Sequence, residues 1–183
     1  MTKKIGLIIG STRPNRISTS IASWLQPAVA QDGLDVDLID LAKIDLPFLD
    51  EPGQPSDGNY TLTHTKAWSQ LIQGYDGFIL LFPQYNWGYP APLKNALDYL
   101  YTEWRGKPVS LVSYGGHGGF QAALSMQLVV RGLKMQLMAT NLQLTLRKPD
   151  LDDNEQFIDP AQALAPYSFN ANQMGAEFLH RLS

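Results

Sequence analysis

Apolar positions along the chain fall into two repeating kinds of segment. Ile5 to Ile9 is a near-continuous apolar run, as is Gly77–Phe82 ("GFILLF"), and "PVSLVSY" (108–114) is a third. Runs of this kind mark strands covered on both faces. Leu34, Val36 and Leu38 instead alternate with Asp35 and Asp37, which suits a half-exposed edge strand, and "QLMATN" (136–141) alternates more than the central strands do. Between these segments the apolar residues recur at helical spacing. Ile21, Trp24, Leu25 and Ala28 predict a helix over about 17–29, and another ends near Gln73. Leu93, Ala96, Leu97 and Leu100 predict one opened by Pro90 and Pro92, a tolerated place for proline. "FQAALSMQLVVRGL" is the next, and Ala171, Met174, Phe178 and Leu182 mark the last.

Five strands alternating with five helices imply a parallel sheet with helices on both faces. The first and third strands are the most apolar and the second reads as an edge, which favours the order 2-1-3-4-5. In such a sheet a ligand lies beyond the carboxyl ends of strands one and three, where the winding direction switches. The loops after strands one, three and four therefore carry the candidate chemistry.

Composition narrows the field. At 183 residues the chain is expected to form a single domain, residues 1–183. A net charge of −3 gives no reason to expect nucleic acid or an anionic membrane as partner. No apolar run is long enough to span a bilayer, and the short apolar stretch after Lys3-Lys4 runs into Arg13, so neither a membrane span nor a signal peptide is expected. With no cysteine there is no disulfide, thiolate nucleophile or Fe–S ligation. A cytoplasmic protein fits these features best.

The first of the three loops reads "GSTRPNRIS" (10–18). A helix N-terminus presents unpaired N–H groups and favours an anion by about 0.3–1 kcal/mol. Ser11 and Ser18 add hydroxyls, and Arg13 and Arg16 can add charge-assisted hydrogen bonds of about 1.5–3 kcal/mol each. A phosphate dianion suits this set, although a plain helix cap with two solvated arginines would use the same residues. Neither GxxxxGK[ST] nor GxGxxG is present.

The second loop opens "FPQYNWGYPAPLKNALDYL" (82–100). Six of the chain's 19 aromatic residues lie between Tyr85 and Trp104. Tyr85 and Trp87 fall at the ligand end, where an aromatic can flank a planar ring. Tyr99, Tyr101 and Trp104 lie on or just after the helix and are expected in the core or at a subunit interface. The third loop, "SYGGHGGF" (113–120), sets four glycines around His117, either to bring backbone N–H groups close to a ligand or simply to turn the chain.

Taken together, these three motifs resemble the NADPH-dependent FMN reductase family, a group of flavodoxin-like proteins that includes azoreductases, chromate reductases and quinone reductases. The resemblance covers about residues 3–142. It implies a flavodoxin-like three-layer α/β sandwich that binds FMN and takes hydride from NAD(P)H. By the family's pattern Ser11, Arg13, Arg16, Ile17 and Ser18 would hold the FMN phosphate. Pro83, Gln84, Tyr85 and Asn86 would line one side of the isoalloxazine, and Tyr114, Gly115, Gly116 and His117 would approach its other edge. The family commonly has Glu where Gln84 stands, and smaller residues than Trp87-Gly88-Tyr89. The implied activity is electron transfer from the dinucleotide through FMN to a small acceptor (flavin, quinone, azo compound or metal ion) by a ping-pong mechanism, in a homodimer or homotetramer. No metal site and no catalytic side chain are expected, because the coenzyme performs the redox step. The alternative is a flavodoxin-type electron carrier, which shares the fold and the FMN without oxidising NAD(P)H directly.

Overall fold

The computed structural model describes all 183 residues. Strands β1 (Lys3–Ile9), β2 (Leu34–Asp40), β3 (Gly77–Pro83) and β4 (Pro108–Gly115) lie parallel, in the order β2-β1-β3-β4. A fifth position beside β4 is filled by two short strands, β5 (Gln136–Leu137) and β6 (Leu142–Thr145). The crossovers are α1 (Ser18–Val29), the short α2 (Leu41–Ile44), α3 (Thr63–Gln73), α4 (Ala91–Asp98) and α5 (Phe120–Gly132). After β6 come α6 (Pro160–Leu164) and α7 (Ser168–Leu182).

Alternation along the central strands feeds two cores, one on each face of the sheet. Ile5, Leu7 and Ile9 of β1, with Ile79 and Leu81 of β3, pack against Ile21 and Leu25 of α1 and Phe178 of α7. Ile8, with Phe78, Leu80 and Phe82, faces Trp68 of α3, Leu93 and Leu97 of α4 and Met126 of α5. All seven residues of β3 are buried, whereas β2 exposes Asp35, Asp37 and Leu38 as the edge of the sheet. The aromatic cluster after α4 belongs to the core. Tyr99 and Trp104 are fully buried, and Trp104 Nε1 donates to the Leu97 carbonyl at 3.0 Å while Phe78 meets its ring edge-on.

The fifth strand departs from the continuous segment expected over 136–141. Its ladder breaks after Leu137, and side chains replace the missing backbone bonds. Asn141 Oδ1 accepts from Leu111 N at 2.7 Å, and Asn141 Nδ2 donates to the Met138 carbonyl at 2.9 Å. Glu177 of α7 accepts from Ala139 N and Thr140 N, both at 2.8 Å. Pairing with β4 resumes at Leu142.

The first and last helices meet at Gly175. A Cβ there would lie 2.1 Å from the Val29 carbonyl oxygen, so α7 approaches α1 at a distance only glycine permits.

Candidate functional site

At the carboxyl ends of β1, β3 and β4 the structure forms a cleft of about 250 Å³. Its walls include Ser11, Arg13, Arg16 and Ile17 from the first loop, Pro83 and Tyr85 from the second, and Tyr114 and Gly116 from the third. Three segments far apart in sequence thus converge as the strand order requires. Ser11 is buried, and its hydroxyl bonds the Tyr85 hydroxyl at 3.1 Å, tying the first loop to the second.

Helix α1 begins at this cleft without a cap. Ile17 occupies the N-cap position, no side chain accepts from the first turn, and no acidic residue lies in it. The first N–H groups of a helix have no partner within it, so the α1 terminus offers donors and partial positive charge. Two side-chain atoms share this state. Ser18 does not itself line the cleft but follows the lining residue Ile17; its Oγ, fully buried, has no hydrogen-bond partner, nor does the buried Nε of Arg16, which does line it. An unsatisfied buried polar group costs about 1–3 kcal/mol, so these atoms are poised for a ligand. Tyr114 lies beside Ser18. Burial pushes its phenol up to about 12, so the group stays protonated at neutral pH.

The two arginines play different parts. Arg16 Nη2 is 2.6 Å from Asp40 Oδ2 at the end of β2, in a largely buried pair, and Nη1 bonds the Arg13 carbonyl at 3.3 Å. Asp40 also caps α2, accepting from Ala42 N at 3.1 Å. The charge of Arg16 is therefore already countered, which leaves its Nε–H as the guanidinium donor without a partner. Arg13 is exposed and makes no ion pair, which leaves it as the free cation of the loop.

The remaining predicted residues stand around the cleft rather than on it. Gln84 donates its backbone N–H to the Tyr114 carbonyl at 3.1 Å, and its side-chain Oε1 accepts from Ala122 N at 3.1 Å. The Gln84 side chain thus caps α5, whose own N-cap residue, Gly119, has no side chain to do so. Asn86 and Trp87 have φ of 48° and 68°, and Tyr85 and Gly88 exchange both backbone hydrogen bonds at 2.8 Å. This tight turn needs positive φ at both central residues, and it throws Trp87 into solvent at 71% exposure. Gly115 ends β4 and His117 sits exposed on the turn behind it. Gly119 has φ of 72°, and a Cβ there would lie 3.0 Å from the Ser113 Cβ, so turning the chain is one purpose of the glycines.

Asn15, Leu146, Leu151 and Glu155 also line the cleft. The last three come from the segment after β6, which carries no periodicity or motif that points to a site.

Strand order, two-sided helical cover and a cleft across the ends of β1, β3 and β4 define the class: a flavodoxin-like α/β protein. A profile of the family described as NADPH-dependent FMN reductase matches residues 3–145. An NAD(P)H-dependent FMN reductase of Schizosaccharomyces pombe is 45% identical over 164 residues, 88% of this chain and 81% of that protein. An FMN-dependent NADPH-azoreductase of Staphylococcus haemolyticus is 29% identical over 161 residues, 85% of each chain. In fold, the chain superposes on a flavoenzyme NAD(P)H:(acceptor) oxidoreductase of Paracoccus denitrificans with a TM-score of 0.75, over 98% of this chain and 99% of that one, at 17% identity. The chain belongs to the NADPH-dependent FMN reductase family, a family of oxidoreductases. The donors at the cleft fit the coenzyme this family is named for: two orphaned buried groups, an uncapped helix and a free guanidinium suit one phosphate.

Proposed function

We propose that the protein transfers electrons from a nicotinamide dinucleotide through bound FMN to a small acceptor, with the cleft between residues 10–18, 83–86 and 114–117 as the coenzyme site. The observation that carries this reading is the unpartnered, buried Ser18 hydroxyl at the uncapped start of α1. When bound, FMN supplies the redox chemistry, accepting hydride from the dinucleotide and releasing electrons to the acceptor. Ser18, Arg16 Nε and the α1 N–H groups hold the phosphate, and Arg13 adds its charge. Tyr85 and Tyr114 present aromatic walls at the ring end, and the Ser11–Tyr85 bond fixes one of them. Gln84 keeps the third loop in place by holding the start of α5. No side chain of the cleft is required to act as nucleophile or base.

In this reading dinucleotide and acceptor use one opening in turn, giving ping-pong kinetics. Parallel double-reciprocal plots are expected, and intersecting ones count against the scheme. The reading also includes a cytoplasmic location and assembly into a homodimer or homotetramer, favoured by the 84% exposed Phe48 beside an apolar hollow of about 320 Å³ against α4. A monomer by light scattering refutes the assembly. The central experiment is a visible spectrum of the purified protein with FMN, then with NADH or NADPH. Bound oxidised flavin that bleaches rapidly is expected. Flavin that binds but is not reduced would favour the electron-carrier alternative, and no binding would overturn the site.

A further inference from the structure

The segment after β6 is built, although nothing in the proposed chemistry uses it. Leu151 and Phe157 form an antiparallel bridge, Asp152 N donates to the Gln156 carbonyl at 2.8 Å, and Ile158 N donates to the Asp150 carbonyl at 3.0 Å. Asp152 Oδ1 accepts from Asn154 N at 2.8 Å and from Gln156 N at 2.9 Å, which fixes the turn. Glu155 closes it at a φ of 59°, a conformation that non-glycine residues seldom hold without support. Leu151 and Phe157 pack on the core beside α1. Gln156 Nε2 then reaches the carbonyl of Asn15 in the phosphate loop at 3.1 Å. Leu151 and Glu155 stand in the wall of the same cleft as Arg13 and Ile17.

The donors of this cleft belong to the loop 10–18 and number enough for one phosphate group. The Glu155 carboxylate stands in the wall of the same cleft and repels rather than binds a second phosphate. The wall of Leu151 and Glu155, held to the loop through Gln156, bounds the cleft on that side. We propose that the hairpin 151–157 is a specificity element that restricts the site to a terminal phosphomonoester, so that FMN is accepted and FAD refused. This rests on the FMN reading of the cleft.

The test titrates the apoprotein with riboflavin, FMN and FAD and follows quenching of flavin fluorescence. Wild-type protein is expected to bind FMN more tightly than FAD. Gln156→Ala, which removes the tether, and Glu155→Gln, which removes the charge, are each expected to narrow the FAD-to-FMN ratio of Kd by about three- to tenfold, the effect of one hydrogen bond or one local charge. Riboflavin affinity is expected to stay at its wild-type value in both. The proposal is overturned if wild-type protein binds FAD as tightly as FMN, if both variants keep the wild-type ratio, or if riboflavin binding falls in step with FMN. Failure of the FMN reading is distinct: the wild-type protein then binds no flavin at all.

Discussion

Replacing Ser18 by Ala separates the cost of the site from its use. The Ser18 hydroxyl is buried without a partner at the start of α1, an arrangement worth about 1–3 kcal/mol of instability in the coenzyme-free protein. Alanine keeps the backbone, favours the helix and removes the stranded oxygen. The apoprotein should therefore gain about 1 kcal/mol, a rise of about 2–4 °C in Tm for a chain of this size. With FMN the sign reverses. A hydrogen bond to a charged phosphate contributes about 1.5–3 kcal/mol, so its loss should raise Kd about ten- to a hundredfold. Thermal melts followed by circular dichroism, with and without FMN, and a fluorescence titration measure both halves on one preparation. A variant whose apoprotein melts lower than wild type, or whose FMN affinity is unchanged, would show that the hydroxyl is not held in reserve for the phosphate.

Three further outcomes are expected. Arg13→Ala should weaken FMN binding about ten- to a hundredfold, measured by the same titration, because Arg13 is the cation of the loop without an acidic partner. Gly175→Ala should destabilise the fold by about 3 kcal/mol or more in urea unfolding, since its Cβ would meet the Val29 carbonyl oxygen at 2.1 Å; an unchanged midpoint would mean that α7 can slide. Burial pushes the Glu51 carboxyl up, but hydrogen bonds from the Thr61 hydroxyl and backbone N–H and from Leu62 N outweigh it and bring the group down to about 2. A carboxyl lowered by folding contributes stability that is complete above its unfolded pKa and lost as pH falls through the folded one. Unfolding free energy should thus decline as pH drops from about 4.5 toward 2, and Glu51→Gln should flatten that part of the curve.

The sheet was legible because parallel strands buried on both faces must be written as unbroken apolar runs, and an edge strand cannot be. Order and site position followed from those runs. The break in the fifth strand was not legible, because Glu177 of α7 and the Asn141 side chain decide it through contacts that no local pattern records. The candidate site divides in the same way. Ser11, Arg13, Ile17 and Tyr85 reach the cleft because each lies at a strand-to-helix handover that the sequence marks. The pairing of Arg16 with Asp40 and the capping of α5 by Gln84 join residues 24 and 38 positions apart, so the types were visible but their partners were not. Leu151 and Glu155 sit in a stretch whose turn is built from Asp152 and its neighbours, a local device that says nothing of what it faces.

The contact between Gly175 and Val29 bears on the order in which the molecule is finished. The helix that opens the cleft is made well before the helix that clamps it. Until α7 has docked, α1 lacks the neighbour that meets it at Val29, so the cleft is braced only once both helices are present. A truncation that spares every residue of the cleft but removes the last helix would still forfeit the flavin.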